Sequence, residues 1–250
     1  MDRPPHRGLC DRRGEEAVTV SVILPTYNER ETIVPLIRAI LSAVPEADVV
    51  VVDDDSPDQT WAIIEQAFAS DGRVRVLRRI GRRGLPSALA DGITQAKGGT
   101  VVWLDADGSM PPTAIPMLLA GLTEAEVAVG SRYAPGGQDI RTSRLRVWTS
   151  WLINAFAASF LGWEVRDYTS GFIAARRGVL DRVPLRTDYA YGDYCIDFLY
   201  RAVQAGVRIR EIPYRCGERQ AGETKTAPDL GRFVTLGLAY LVTILKLRFR

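Results

Sequence analysis

An open α/β sheet, mostly parallel and built as one domain, is the architecture this sequence predicts, and three observations point to it. Short apolar runs, of strand length, alternate with segments whose apolar residues recur at helical spacing. The run 48–52 is almost entirely valine, which marks burial on both faces and therefore parallel pairing. With 250 residues and 46% hydrophobic content, the chain is long enough to close one large core.

Residues 1–16 are rich in Arg, Pro and Gly with almost no apolar side chains, and are expected to be a disordered tail. The domain proper is expected over 17–228, followed at 229–250 by a C-terminal amphipathic helix on a membrane surface. The first strand, 18–24, alternates and then runs apolar up to Pro25. A helix follows over 30–43, with Ile33, Leu36, Ile37, Ile40 and Leu41 on one face. After the valine strand come a helix at 59–69, a strand at 74–77 and a helix starting near Leu85. The strand 101–104 ends at Asp105-Ala106-Asp107, where Gly108, Ser109 and Pro111-Pro112 turn the chain into a loop. A helix over 114–121 and a strand over 126–130 lead to Ser131-Arg132-Tyr133 and a glycine-rich loop.

The stretch 147–163 carries no charge but holds Trp148, Trp151, Phe156, Phe160 and Trp163. It is marginal for spanning a bilayer, and its hydroxyl and amide side chains suit either core burial or a helix at headgroup level, where Trp concentrates. A helix over 191–205 places Asp193 and Asp197 on one face, where solvent exposure is expected. A strand at 207–214 and a polar loop at 217–228 precede the final apolar segment 233–249, which Lys246 and Arg248 interrupt.

Net charge is only +2, but basic residues crowd the last third of the chain, which suggests anionic ligands or a membrane surface and no nucleic acid. Cys10, Cys195 and Cys216 form an odd set without metal-ligand spacing, as expected of free thiols in a reducing compartment. No signal peptide is visible. The single histidine, His6, lies in the tail, so chemistry that needs a histidine base is excluded.

Ligands of open α/β sheets bind beyond the carboxyl ends of the strands. Tyr27 to Glu29, Asp53 to Asp55, and Asp105 with Asp107 all fall at that edge. Any one of these clusters is ordinary turn chemistry. Three together suit a divalent cation that keeps its waters and holds a substrate diphosphate. A dinucleotide oxidoreductase is disfavoured, because PTYNE follows the first strand where Gly-x-Gly-x-x-Gly would be required.

The ordered set PTYNE, VVDDDSPDQT, GLPSALADG, DADGSMPP, GSRY, TSGF and a late Arg-x-x-Gly-x-Thr-Lys resembles the inverting GT-A glycosyltransferases of the dolichol-phosphate or polyprenyl-phosphate mannosyltransferase type. The resemblance covers about residues 20–227 and implies a Rossmann-like, mixed, mostly parallel sheet of the nucleotide-diphospho-sugar transferase kind. It implies transfer of a sugar, mannose from GDP-mannose first, onto a polyprenyl or dolichyl phosphate, with Mg2+ or Mn2+ as cofactor. Location would be peripheral, on the cytoplasmic face of a membrane. Pro25, Tyr27, Glu29, Val51 and Asp53 would contact the nucleoside, and Asp105, Ala106 and Asp107 the diphosphate and metal. Arg219 and Lys225 would reach phosphate from a closing loop. Arg132 and Arg146, with Ser150 one helical turn beyond, would hold the lipid phosphate, whereas Arg141 and Arg144 read as solvated charges. Ser109 stands where archaeal-type relatives have a metal-coordinating glutamine, so metal preference is open. A UDP-glucose donor and a catalytically silent nucleotide-sugar binding module remain alternatives. A polymer-forming transferase is disfavoured because no Gln-x-x-Arg-Trp follows.

Overall fold

The computed structural model of the chain describes residues 20–189, 191–220 and 230–249. The expected tail, 1–16, and Lys225 lie outside the described residues. A seven-stranded sheet forms the centre, in the order β3-β2-β1-β4-β7-β5-β8. These are β1 (Val20–Thr26), β2 (Asp48–Asp53), β3 (Val74–Arg78), β4 (Thr100–Trp103), β5 (Val127–Ser131), β7 (Ile173–Arg176) and β8 (Ile209–Pro213). All pair in parallel except β7, which runs antiparallel between β4 and β5. A small parallel pair, β6 (Gln138–Asp139) and β9 (Arg215–Cys216), stands beside it.

Alternation along the strands splits the core in two. Val20, Val22 and Leu24 of β1 and Val49 and Val51 of β2 face α1 (Ile33–Ala43), α2 (Thr60–Ala67) and α4 (Ile115–Gly121). Ile23, Val50 and Val52 point the other way, with Trp103, toward α3 (Leu85–Gln95), α5 (Arg144–Leu161) and α7 (Asp193–Gln204). A short helix, α6 (Arg177–Arg182), follows β7. This two-sided burial is the cause of the valine run: neither face of β2 meets water. Ile33, Leu36, Ile37 and Ile40 of α1 are buried, each contributing about 1.5–3 kcal/mol. Gly92 explains the glycine of the GLPSALADG segment, since a Cβ there would sit 2.4 Å from Ile23 Cγ2 and push α3 off the sheet.

The C-terminal helix, α8 (Leu230–Arg248), packs against α5 and α7. Ile244 and Leu247 join the same core, and the Thr243 hydroxyl bonds Asp193 at 3.3 Å. The opposite faces stay bare: Leu145, Trp148, Trp151 and Leu152 on α5, and Val234, Leu238, Val242 and Leu245 on α8, are exposed. Among the described residues no helix is long and apolar enough to cross a membrane.

Asp193 and Asp197 depart from expectation. Both are buried, because α7 is a core helix. Asp197 is compensated by Arg201 at 2.7 Å, Tyr189 at 2.9 Å and Arg186 at 3.2 Å. Beside it the Tyr189 hydroxyl is pushed up to about 12, by burial first and then by the Asp197 charge.

Candidate active site

From β1 the chain winds outward through β2 to β3; β4 then returns to the other side of β1. The order reverses there, and a crevice opens at the carboxyl ends of β1 and β4. The Asp105–Pro112 loop fills one side of it. Asp107 Oδ1 accepts the Ser109 N–H at 3.0 Å, closing a tight turn. Gly108 takes φ +79°, and a Cβ there would meet the Gln220 side chain at 2.7 Å. The contact is close because the late loop is pinned to the metal-type loop: Gln220 N–H donates to the Asp107 carbonyl at 2.9 Å and Gly217 N–H to that of Ser109 at 3.0 Å.

The loop after β1 joins the same constellation. The Thr32 hydroxyl donates to the Ala106 carbonyl at 2.9 Å, and Asn28 N–H to Ser56 Oγ at 3.0 Å. Glu29 is buried and pairs with Arg219 at 2.8 Å; Arg219 Nε lies 3.7 Å from Asp107. Thus Glu29, Asp105, Ala106, Asp107 and Arg219 are assembled from three distant parts of the chain.

Two residues that the resemblance assigns to the nucleoside have enclosed side chains. The Val51 side chain is fully enclosed in the core. Asp53 is also fully buried, with Oδ1 accepting from Ser56 N–H at 2.8 Å and Oδ2 from the Thr26 and Ser56 hydroxyls at 2.8 and 2.6 Å. Its carboxylate ties β1 to β2. Pro25 and Tyr27 remain partly exposed at the end of β1.

Across the crevice lies a cleft lined by Asp105, Asp107, Ser109, Arg132, Arg141, Arg146, Ser150 and Arg219. Its far wall is apolar, from Ile153 of α5 and Leu236, Gly237 and Tyr240 of α8. Arg132 reaches the cleft with its fork engaged: Nε and Nη2 donate to the Asp167 carboxylate at 2.8 and 2.7 Å, and Nη2 to Thr169 at 2.8 Å. Burial opposes its charge, but the Asp167 carboxylate outweighs that and holds the guanidinium well above its usual range. Arg132 is therefore a braced cation and not a loose one. Arg141, expected at the solvated surface, also lines the cleft, braced by Asp139 at 2.8 Å. The sequence reading missed Asp167, which stands two residues before the quoted TSGF segment. It missed the α8 wall too, for which apolar content next to a basic end was the only signal.

The donor set suits a hard cation. Asp105 and Asp107, two positions apart on one loop, line one cleft together with Ser109. Asp105 and Asp107 would hold Mg2+ or Mn2+ there, with waters and phosphate oxygens as the further oxygen donors.

Residues 21–183 match the model of the family described as Glycosyl transferase family 2. The polyprenol monophosphomannose synthase of Mycolicibacterium smegmatis is 36% identical over 85% of this chain and 84% of its own length. The undecaprenyl-phosphate mannosyltransferase of Micrococcus luteus is 35% identical over 82% of this chain and 86% of its own. The dolichol-phosphate mannosyltransferase of Pyrococcus furiosus is 34% identical over 82% of this chain and 58% of its own. Among solved structures, Mycobacterium tuberculosis glucosyl-3-phosphoglycerate synthase in complex with Mn2+, UDP and phosphoglyceric acid superposes with a TM-score of 0.69 at 22% identity. That match covers 93% of this chain and 79% of the other, and bears on the fold, which is the GT-A fold expected from the sequence. With the family model spanning most of the sheet and relatives alike over most of their length, the chain belongs to glycosyl transferase family 2 and is a glycosyltransferase.

Proposed function

We propose that this enzyme transfers mannose from GDP-mannose to a polyprenyl or dolichyl phosphate at a membrane surface, using Mg2+ or Mn2+ held by Asp105 and Asp107. The observation that carries this reading is a carboxylate pair sharing one cleft with four arginines, Arg132, Arg141, Arg146 and Arg219, where the cleft runs out along apolar α5 and α8. The names of the relatives above support the same sugar and the same acceptor class.

The cation, when bound, offsets the charge gathering on the departing diphosphate. Arg219, presented by Glu29, adds positive charge on the same side. The acceptor needs no base: the second ionisation of a phosphate monoester lies near pH 6, so at neutral pH an oxygen is already anionic. That oxygen attacks the anomeric carbon as the bond to GDP breaks, with inversion, and the electron pair leaves on the diphosphate. Arg146 and Arg141 draw the lipid phosphate in, while Asp167 keeps Arg132 from swinging away. The bare apolar faces of α5 and α8 are where the enzyme rests on the membrane, so that the lipid enters beside Ser150 and Tyr240.

Incubation of the purified enzyme with polyprenyl phosphate, Mn2+ and radiolabelled GDP-mannose, UDP-glucose or GDP-glucose tests the assignment. Label should pass to lipid from GDP-mannose. Transfer from UDP-glucose alone, or binding of donor without product, would replace it.

A further inference from the structure

At the β2 end of the crevice three carboxylates stand in a row, each engaged by neighbouring side chains. Asp53 is spent on Thr26 and Ser56. Asp54 accepts Arg79 Nε at 2.7 Å and Gly84 N–H at 2.9 Å, and Asp55 accepts Arg78 Nε at 2.7 Å. These bonds fasten the loop that follows β3. Arg79 is buried, donates also to Ser87 at 2.9 Å and to the Gly84 carbonyl at 3.1 Å, and so acts as a fixed root. From that root the loop turns through Gly81 at φ +72° and Gly84 at φ +134° and holds Arg83 out over the β1 end. The Arg83 guanidinium lies 4.1 Å from the centroid of the Tyr27 ring and its Nη2 donates to the Tyr27 hydroxyl.

With the diphosphate at Asp105 and Asp107 and the sugar facing the arginine-lined cleft, the nucleoside extends the other way, across β1 and β2 toward β3. We infer that Arg83 is the residue that selects the base, stacking with Tyr27 and reading a guanine. The inference rests on the GDP-mannose reading above and adds a residue to it. A guanidinium is a planar fork of donors, which matches the O6 and N7 acceptors of guanine in bidentate fashion. Adenine offers N7 beside a donating amino group, and uracil has no such edge. Exposed arginine–tyrosine stacking contributes little to stability, so Arg83 can trade Tyr27 for a base without loosening the fold.

Calorimetric binding of GDP, ADP and UDP with Mn2+ to the wild type, Arg83→Ala and Arg83→Lys tests this. Wild type should bind GDP most tightly. Both variants should lose about tenfold for GDP and little for ADP, because lysine keeps the charge but lacks the fork, while the melting temperature stays near wild type. A GDP preference that survives in Arg83→Ala, or an equal loss for all three nucleotides, overturns the role of Arg83 and leaves the donor assignment standing. A wild-type preference for UDP or ADP overturns both.

Discussion

Glu29 and Arg219 form an ion pair at 2.8 Å although 190 residues separate them. The pair joins the loop after β1 to the loop after β9 directly beside Asp107. Glu29 is buried, and a buried carboxylate on that partner aims the guanidinium into the crevice. Glu29→Gln keeps the shape and removes the charge, so Arg219 loses its brace. Donor KM is expected to rise about tenfold or more, in line with the loss of one charge-assisted contact worth about 1.5–3 kcal/mol, with a smaller fall in kcat. Steady-state kinetics with varied donor check it. A lowered KM would mean that Glu29 competes with the diphosphate for Arg219.

Asp107 bonds a single backbone N–H through Oδ1 and stands 3.7 Å from Arg219, so its carboxylate contributes little to the fold. Asp107→Asn and Asp105→Asn are expected to abolish transfer and Mn2+ binding, and for Asp107→Asn the metal-free melting temperature should move by no more than a degree or two. Electron paramagnetic resonance of bound Mn2+ reads the metal directly. Retained Mn2+ affinity in both variants would place the cation elsewhere.

Parts of the site and fold were legible wherever the physics is local. The valines of β2 and the helical spacing of α1 declare themselves within a few residues, and Asp105 and Asp107 announce a loop at a strand end. What stayed hidden depends on partners far away in the chain. β7 is four residues long and exists because β4 and β5 flank it, so nothing in Ile173–Arg176 reveals an antiparallel strand. The burial of Asp197 is tolerable only with Arg186 and Arg201 folded over it, and that of Asp53 only with Thr26 and Ser56. Arg141 looked like surface because Asp139 and the cleft are assembled by the β6–β9 pair, two residues a side.

Arg132 and Asp167 are a buried pair, with side chains 8% and 0% exposed. Breaking such a pair leaves an uncompensated charge and costs about 3–5 kcal/mol. Asp167→Asn should therefore lower the unfolding midpoint strongly and reduce activity toward the lipid phosphate. The double variant Asp167→Leu/Arg132→Met should recover much of the stability and none of the activity. Denaturant melts and acceptor kinetics separate the two effects, and a double variant no more stable than Asp167→Asn would show that the pair is not the source of the loss.

Glu211 carries the network one step outward, accepting the Asp167 N–H at 3.0 Å. Burial raises its carboxyl above the usual range, against the Ser131, Asp167 and Arg166 hydrogen bonds that lower it. A carboxyl raised on folding favours the folded state at low pH, and that benefit is lost as pH climbs through the raised value. Glu211→Gln removes this titration. The variant should gain stability relative to wild type as pH rises from the ordinary carboxylate range through the raised value in the folded protein, as thermal melts across that range would record. A constant difference would mean that Glu211 titrates normally.

The exposed faces of α5 and α8 give the last prediction. Trp148 and Trp151 pack edge to face at 5.9 Å and are 63% and 48% exposed, with Leu238 and Val242 exposed on the adjoining helix. Water gains nothing from such a patch, whereas the headgroup region accepts indole and leucine side chains together. Burying one such side chain is worth about 1.5–3 kcal/mol, so replacing Trp148, Trp151 and Leu238 by serine should weaken binding to lipid vesicles by roughly tenfold per residue. None of the three packs into the catalytic cleft, so turnover of a short-chain, detergent-dispersed polyprenyl phosphate should stay near wild type. Co-sedimentation with vesicles reads the first effect and the detergent assay the second. Undiminished sedimentation of the triple variant would show that another face meets the membrane.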